Sequence, residues 1–230
     1  VIEPRLPDWL PAELRASPLC LQALTHRSVG GTNYERLEFL GDALLGLIVA
    51  EWLYTTLPKA SEGELSRVRA SLVKRETLAE IARERALGDQ LYLGQGELKS
   101  GGFRRDSILA DVVEALIGAH YLVLGFSATQ DFVRMLFGAR FERLPSAESL
   151  KDPKTRLQER LQSSGLPLPV YVIVEATGEP HQQTFRVRCS LSGDKLAAEA
   201  VGGSRRKAEQ ASAEAMLSLL NEREGSKRVR

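Results

Sequence analysis

The sequence predicts an all-α domain over residues 1–143, followed by a small α+β domain ordered α-β-β-β-α over residues 153–221. Three observations point there. Apolar residues in the first part recur at intervals of three and four. Past a polar stretch bounded by Pro145 and Pro153 the pattern changes to alternation with period two. The charge also changes sign: residues 1–150 hold 17 Lys and Arg against 20 Asp and Glu, and residues 151–230 hold 14 against 10. An acidic half joined to a basic half suggests two separate tasks.

In the first domain, the helical spacing is carried by "LLGLIVAEWLY", "LSRVRASLVKRETLAEIARERA" and "SILADVVEALIGAHYLVLG". Two starts read as capping boxes, Thr32 with Glu35 and Ser61 with Glu64, and Asp106 is placed to cap the helix that begins near Ser107. The polar stretch 142–153 gives a linker at residues 144–152. Beyond it, 153–164 reads as helix. "VYVIVEATG" and "TFRVRCSLSG" read as strands, the second with Phe185, Val187, Cys189 and Leu191 on one face. "KLAAEAVG" fits a third strand, and 204–220 an Ala-rich helix. That order gives an antiparallel sheet with helices on one face. Residues 222–230 read as a loose basic tail.

At 230 residues and 43% hydrophobic, the chain can bury its cores without staples. Cys20 and Cys189 match no metal-binding spacing, so a reduced, cytoplasmic setting is the simplest expectation. No apolar run is expected to reach the roughly 18 residues of a membrane helix, and no signal peptide opens the chain, so no membrane partner is expected.

"NYERLEFLGDALLG", residues 33–46, sets acids into an apolar helix. Glu35, Glu38 and Asp42 stand at i, i+3 and i+7, one face of a helix. Asp111 and Glu114 form a second pair at i, i+3 inside "ILADVVEALIG". Half-buried carboxylates lose hydration and repel one another unless a cation holds them, and hard oxygen donors suit Mg2+ or Mn2+. Glu38, Asp42, Asp111 and Glu114 on two crossing helices would make a four-carboxylate cage suited to phosphodiester hydrolysis. On spacing alone a solvated face is the commoner reading of such acids. Glu35 could serve only to cap its helix, and Glu62 only to favour a helix N-terminus.

"ERLEFLGDALLG" closely resembles the signature of the ribonuclease III family, with Ala43 where Ser is frequent. The resemblance continues through "EGELSRVRASLV", "GELKSGGFRRDSILADVVEALIG" and a double-stranded-RNA-binding domain, and covers the chain from "LQALTHRS" to Leu220. It implies a homodimeric, Mg2+-dependent endoribonuclease acting on double-stranded RNA, with Mn2+ able to substitute. The products implied carry 5′-phosphate and 3′-hydroxyl ends with a short 3′ overhang, and the implied role is processing of ribosomal RNA precursors and other structured transcripts. Glu38, Asp111 and Glu114 match metal ligands, Asp42 and Glu114 the active-site acids, and Glu35 and Glu62 two supporting acids. Phe39 matches a residue that packs across the dimer interface, although plain core would also explain it. The complete acid set argues against a non-catalytic RNA binder.

In the second domain, the resemblance assigns RNA contact to Thr155, Gln158 and Glu159 on the first helix, to His181 in the loop "GEPH", and to Arg205, Arg206 and Lys207 at the start of the last helix. Duplex RNA is read by shape across its minor groove and by its phosphates, and helix N-termini attract phosphate. Two departures stand out: the loop proline comes one place late, and Glu209 and Gln210 stand where a further lysine is frequent, which would trim nonspecific affinity. "LGQGELKSGGFRR" lacks a phosphate-loop pattern and reads as an interhelical loop whose Lys99, Arg104 and Arg105 can reach RNA backbone. His26 reads as a satisfied structural histidine.

Overall fold

A computed structural model describes residues 6–179, 182–192 and 196–228. The chain divides after Ala147 into two compact units, the first helical and the second mixed.

In the first unit, α1 (Ala12–Ala16) and α2 (Pro18–Ala23) lead into a 3-10 turn at Arg27–Val29 and the long α3 (Glu35–Thr56). Next come α4 (Glu62–Val73), α5 (Arg75–Glu84), the short α6 (Gln95–Lys99), α7 (Asp106–Phe137) and α8 (Ala139–Glu142). α7 is the central element, packing against α3 on one side and α5 on another. It buries Leu109, Val112, Val113, Leu116 and Ile117, while α3 contributes Leu37, Leu45, Ile48, Val49 and Leu53. α7 is long and apolar enough to cross a membrane by composition; its burial against neighbouring helices makes it the core helix of this unit. It bends at Gly125, whose φ of 80° favours glycine, and the Thr129 hydroxyl donates to the Gly125 carbonyl at 2.8 Å.

The capping expectations divide. Ser61 and Glu64 form the reciprocal box at the start of α4. Thr32 and Glu35 do not: α3 begins at Glu35, its N-cap position falls on Tyr34 without a side-chain cap, and the Glu35 N–H donates to Asn33 Oδ1 at 3.0 Å. Asp106 is the first residue of α7 rather than its cap, and its carboxylate turns to an ion pair with Arg83. Residues 93–105 are not a plain loop either, since α6 and a 3-10 turn at Gly102–Arg104 interrupt them.

In the second unit, α9 (Pro153–Ser163) is capped by Asp152, whose side chain accepts from Lys154 N–H. β1 (Val170–Thr177), β2 (Thr184–Ser190) and β3 (Ala197–Gly202) form an antiparallel sheet in that order. α9 and α10 (Arg205–Arg228) close the core over Cys189, Leu191 and Ala198 with Leu157, Leu161, Ala213, Met216 and Leu217. Val187 and Cys189 are buried as the alternation required, and Leu191 continues that face. α10 runs on to Arg228 through residues expected to be a loose tail. Arg160 of α9 holds this extension by reaching Asn221 at 2.6 Å and Glu224 at 2.7 Å.

Candidate metal and RNA site

The acids meet where α3 crosses α7, and two glycines set how closely the helices approach. A methyl group built on Gly41 would stand 1.7 Å from the Glu114 carbonyl oxygen, and one on Gly118 would stand 2.3 Å from the Leu37 carbonyl oxygen. No larger residue fits at either position without moving a backbone. This close crossing brings one carboxylate oxygen from each of Glu38, Asp111 and Glu114 within 4.8 Å of the others. All three side chains are half-buried, and none forms an ion pair with a Lys or Arg among the described residues.

Burial makes all three reluctant to ionise, and repulsion from neighbouring acids adds to this at Glu38 and Glu114. Glu114 is pushed up to about 8, first by burial and then by the charges of Asp42, Asp111 and Glu38. Glu38 is pushed up to about 6 by burial, then by Asp111 and Glu35. Burial also raises Asp111, while a hydrogen bond from the Tyr34 hydroxyl opposes the shift. That hydroxyl donates to Asp111 Oδ2 at 3.2 Å. Three converging oxygens without an ion-paired Lys or Arg among the described residues fit a hard divalent ion.

Asp42 stands apart from the three. It is exposed and acts on Glu114 through its charge, so the expected cage of four consists of three converging carboxylates with Asp42 beside them. Glu35 is exposed and pairs with Arg27 at 3.3 Å. It lines a cavity of about 410 Å³ together with Glu38, Asp111, His26, Glu97 and Arg105. Glu62 is outside the group. It is exposed at the start of α4, accepts a hydrogen bond from Ser66 at 2.7 Å, and lines a groove with Leu47 and Tyr54. Phe39 is 81% exposed, which excludes the core reading; Leu47 and Tyr54 are exposed on the same side of α3.

His26 is buried, and its Nδ1 accepts from Ser28 N–H at 3.1 Å, as expected of a satisfied structural histidine. Sequence reasoning missed Tyr34, Gly41 and Gly118. Tyr34 looks like one more apolar aromatic at a helix start. The glycines carried a signal: each interrupts an apolar helix (Gly41 between Leu40 and Asp42, Gly118 between Ile117 and Ala119), where glycine is unfavourable unless a backbone comes close.

On α9, Thr155, Gln158 and Glu159 are exposed together while Leu157 and Leu161 face the core; Lys151 pairs with Glu159 at 2.6 Å. Arg205, Arg206 and Lys207 open α10 and are all exposed. Glu209 does not project among them: only 9% exposed, it accepts from Lys154 at 2.6 Å and Arg205 at 2.9 Å. Its charge therefore fastens α10 to α9. In the stretch leading to α7, Lys99 is exposed, Arg104 lies over the Phe103 ring at 4.9 Å, and Arg105 pairs with Glu97 at 2.7 Å. His181 lies outside the described residues.

Comparison with known proteins adds to this geometry. Residues 17–139 match the family described as Ribonuclease-III-like, and residues 153–220 match the double-stranded RNA binding motif. The chain is 52% identical over 218 residues to a protein of Alkalilimnicola ehrlichii named Ribonuclease 3, covering 95% of this chain and 96% of that one. It is 53% identical over 199 residues to the Ribonuclease 3 of Aliivibrio fischeri, covering 86% and 89%. A solved nuclease domain of ribonuclease III from Campylobacter jejuni superposes with a TM-score of 0.53 at 42% identity, covering 54% of this chain and 88% of that one. That Campylobacter domain is described as structurally flexible in a region involved in dimer formation.

Proposed function

This chain belongs to the ribonuclease III family and is an endoribonuclease of double-stranded RNA, and on that premise we propose that it hydrolyses the duplex at the α3–α7 crossing with Mg2+ held by Glu38, Asp111 and Glu114. The observation that carries this reading is the convergence of three half-buried carboxylates within 4.8 Å. Held by Glu38, Asp111 and Glu114, Mg2+, with Mn2+ able to substitute, would supply charge neutralisation at the scissile phosphate and lower the pKa of a bound water. Glu114 and Asp42 are the active-site acids. Asp42 stands exposed beside Glu114, on which its charge acts. Glu35 and Glu62 are supporting groups, the first through its ion pair with Arg27.

The second domain binds duplex RNA. Thr155, Gln158 and Glu159 form one contact surface and Arg205, Arg206 and Lys207 another, with His181 assigned from the family pattern. Tethering this affinity to the nuclease domain raises the effective concentration of duplex at the acids. Exposed Phe39 supports a homodimer through the first domain. Two sites then cut opposite strands, giving 5′-phosphate and 3′-hydroxyl ends with a short 3′ overhang. The buried free thiols of Cys20 and Cys189 fit a cytoplasmic setting, where ribosomal RNA precursors and other structured transcripts are the substrates.

The deciding experiment is cleavage of an end-labelled perfect RNA duplex with Mg2+, with Ca2+ and with EDTA. Staggered cutting in Mg2+ alone is expected. Tight binding without cutting in any metal would refute the catalytic reading and leave an RNA-binding protein.

A further inference from the structure

Tyr34 is almost fully buried, with 2% of its surface exposed, yet it carries a polar hydroxyl, which donates to Asp111 Oδ2 at 3.2 Å. A buried hydroxyl is retained where its hydrogen bond has a use, because phenylalanine would fill the same space without the desolvation. The residue is held through its backbone and its ring. Tyr34 N–H donates to the Thr25 carbonyl at 3.0 Å, and the Tyr34 carbonyl accepts from Leu37 N–H at 2.8 Å and Glu38 N–H at 2.9 Å. His26 meets the ring edge-on at 5.6 Å between centroids. His26 is itself fixed through Ser28, whose hydroxyl accepts from Gly94 N–H at 2.8 Å and lies 2.7 Å from His26 Nδ1. Gly94 has to be glycine for this, because a methyl group there would stand 2.3 Å from the Ser28 carbonyl oxygen.

We propose that Tyr34 is a positioning residue for the metal site: its hydroxyl holds Asp111 through Oδ2 and so orients that carboxylate toward Glu38 and Glu114. The inference rests on the metal reading above and adds a residue to it. Through its carbonyl the same tyrosine also anchors the turn that carries Glu38, so one side chain and its backbone set ligands on both helices. Outer hydrogen bonds to metal ligands typically change metal affinity by about 10–100-fold when removed. Among the described residues, the hydrogen bond of the phenol goes to Asp111.

The test is calorimetric titration of the full chain with Ca2+, which reports binding without turnover, for the wild type, Tyr34→Phe, Asp111→Asn and the double variant. Tyr34→Phe keeps the buried ring and should weaken Ca2+ binding by about tenfold or more. Its half-saturating Mg2+ concentration for cleavage should rise in parallel, while kcat recovers at saturating Mg2+. In the Asp111→Asn background the tyrosine change should have no further effect, since it acts through that carboxylate. Equal Ca2+ affinity of Tyr34→Phe and wild type, or full additivity in the double variant, would overturn the inference and leave the metal site standing. No saturable Ca2+ binding by the wild type would overturn the metal site and this inference together.

Discussion

Replacing Gly41 by alanine tests the architecture of the site with the smallest possible change. A methyl group at this position would lie 1.7 Å from the Glu114 carbonyl oxygen, and ordinary contact begins near 3.4 Å. The helices must therefore separate by about 1.7 Å, or α3 must rotate, at the point where Glu38 and Glu114 converge. Two effects oppose each other. Alanine favours a helix over glycine by about 1 kcal/mol. Overpacking a close-fitting interior costs about 1–3 kcal/mol, and here the obstacle is backbone, which cannot change rotamer, so the upper end applies. The net loss of roughly 2 kcal/mol should lower the melting temperature by about 4–8 °C for a unit of this size. Activity should suffer more than stability, because a displacement near 1 Å at a reacting centre can cost about 100-fold in rate. Thermal unfolding and single-turnover cleavage of a labelled duplex measure both. Gly96→Ala is the control, since a methyl group there meets nothing within 4 Å, and it should leave stability equal or slightly higher. A Gly41→Ala protein that melts higher than wild type and cuts at full rate would refute the close crossing as the device that assembles the acids.

Glu114→Gln should abolish cleavage while leaving duplex affinity within a few fold, read by gel shift in Ca2+; retained turnover at saturating Mg2+ would refute its assignment. Lys207→Ala should weaken binding to all duplex sequences alike and reduce the slope of log affinity against log salt by about one unit; a sequence-selective loss would contradict a phosphate contact. Phe39→Glu should leave each protomer folded, because the side chain is 81% exposed, but yield a monomer by sedimentation; an intact dimer would exclude Phe39 from the interface. Because Glu114 and Glu38 are held up near 8 and 6, the metal-free folded chain holds protons that the unfolded chain has released, so its stability should fall as pH rises from about 4.5 to 8. Ca2+ affinity should rise over the upper part of that window, and a pH-independent affinity in calorimetry would argue that the acids do not ligate.

The sequence carried the fold because each of its signals is local. Period-three-and-four spacing placed α3, α4, α5 and α7, and strict alternation placed β2 with Val187 and Cys189 inward. It carried the identity of the acids for a similar reason: carboxylates on an otherwise apolar face are conspicuous. What it could not carry was distance. Spacing put Asp42 on the same helix face as Glu38, but the crossing point of α7 decides which acids converge, and it favours Glu38 over the exposed Asp42. Competition among neighbours was also hidden. Thr32 and Asn33 both offer an oxygen to the start of α3, and only the backbone path selected Asn33. Glu209 read as a surface charge weakening RNA contact until its burial between Lys154 and Arg205 showed an internal tie.

The same crossing explains why the carboxylates are tolerated at all. An isolated group of three half-buried acids lowers stability, since each charge is partly desolvated and sees the others. Here the apolar remainder of α3 and α7 fixes the two helices regardless, with Leu45, Val49, Leu53, Val112 and Leu116 fully or almost fully buried. The acids therefore cannot relieve their repulsion by moving apart, and can do so only by binding protons or a cation. A cation that binds this folded arrangement and not the unfolded chain stabilises it by mass action. Such binding also demands that Glu114 and Glu38 give up the protons that burial encourages them to keep. Proton release, metal binding and helix packing are thus one linked equilibrium, and Gly41, which has no side chain to contribute, sets the distance on which all three depend.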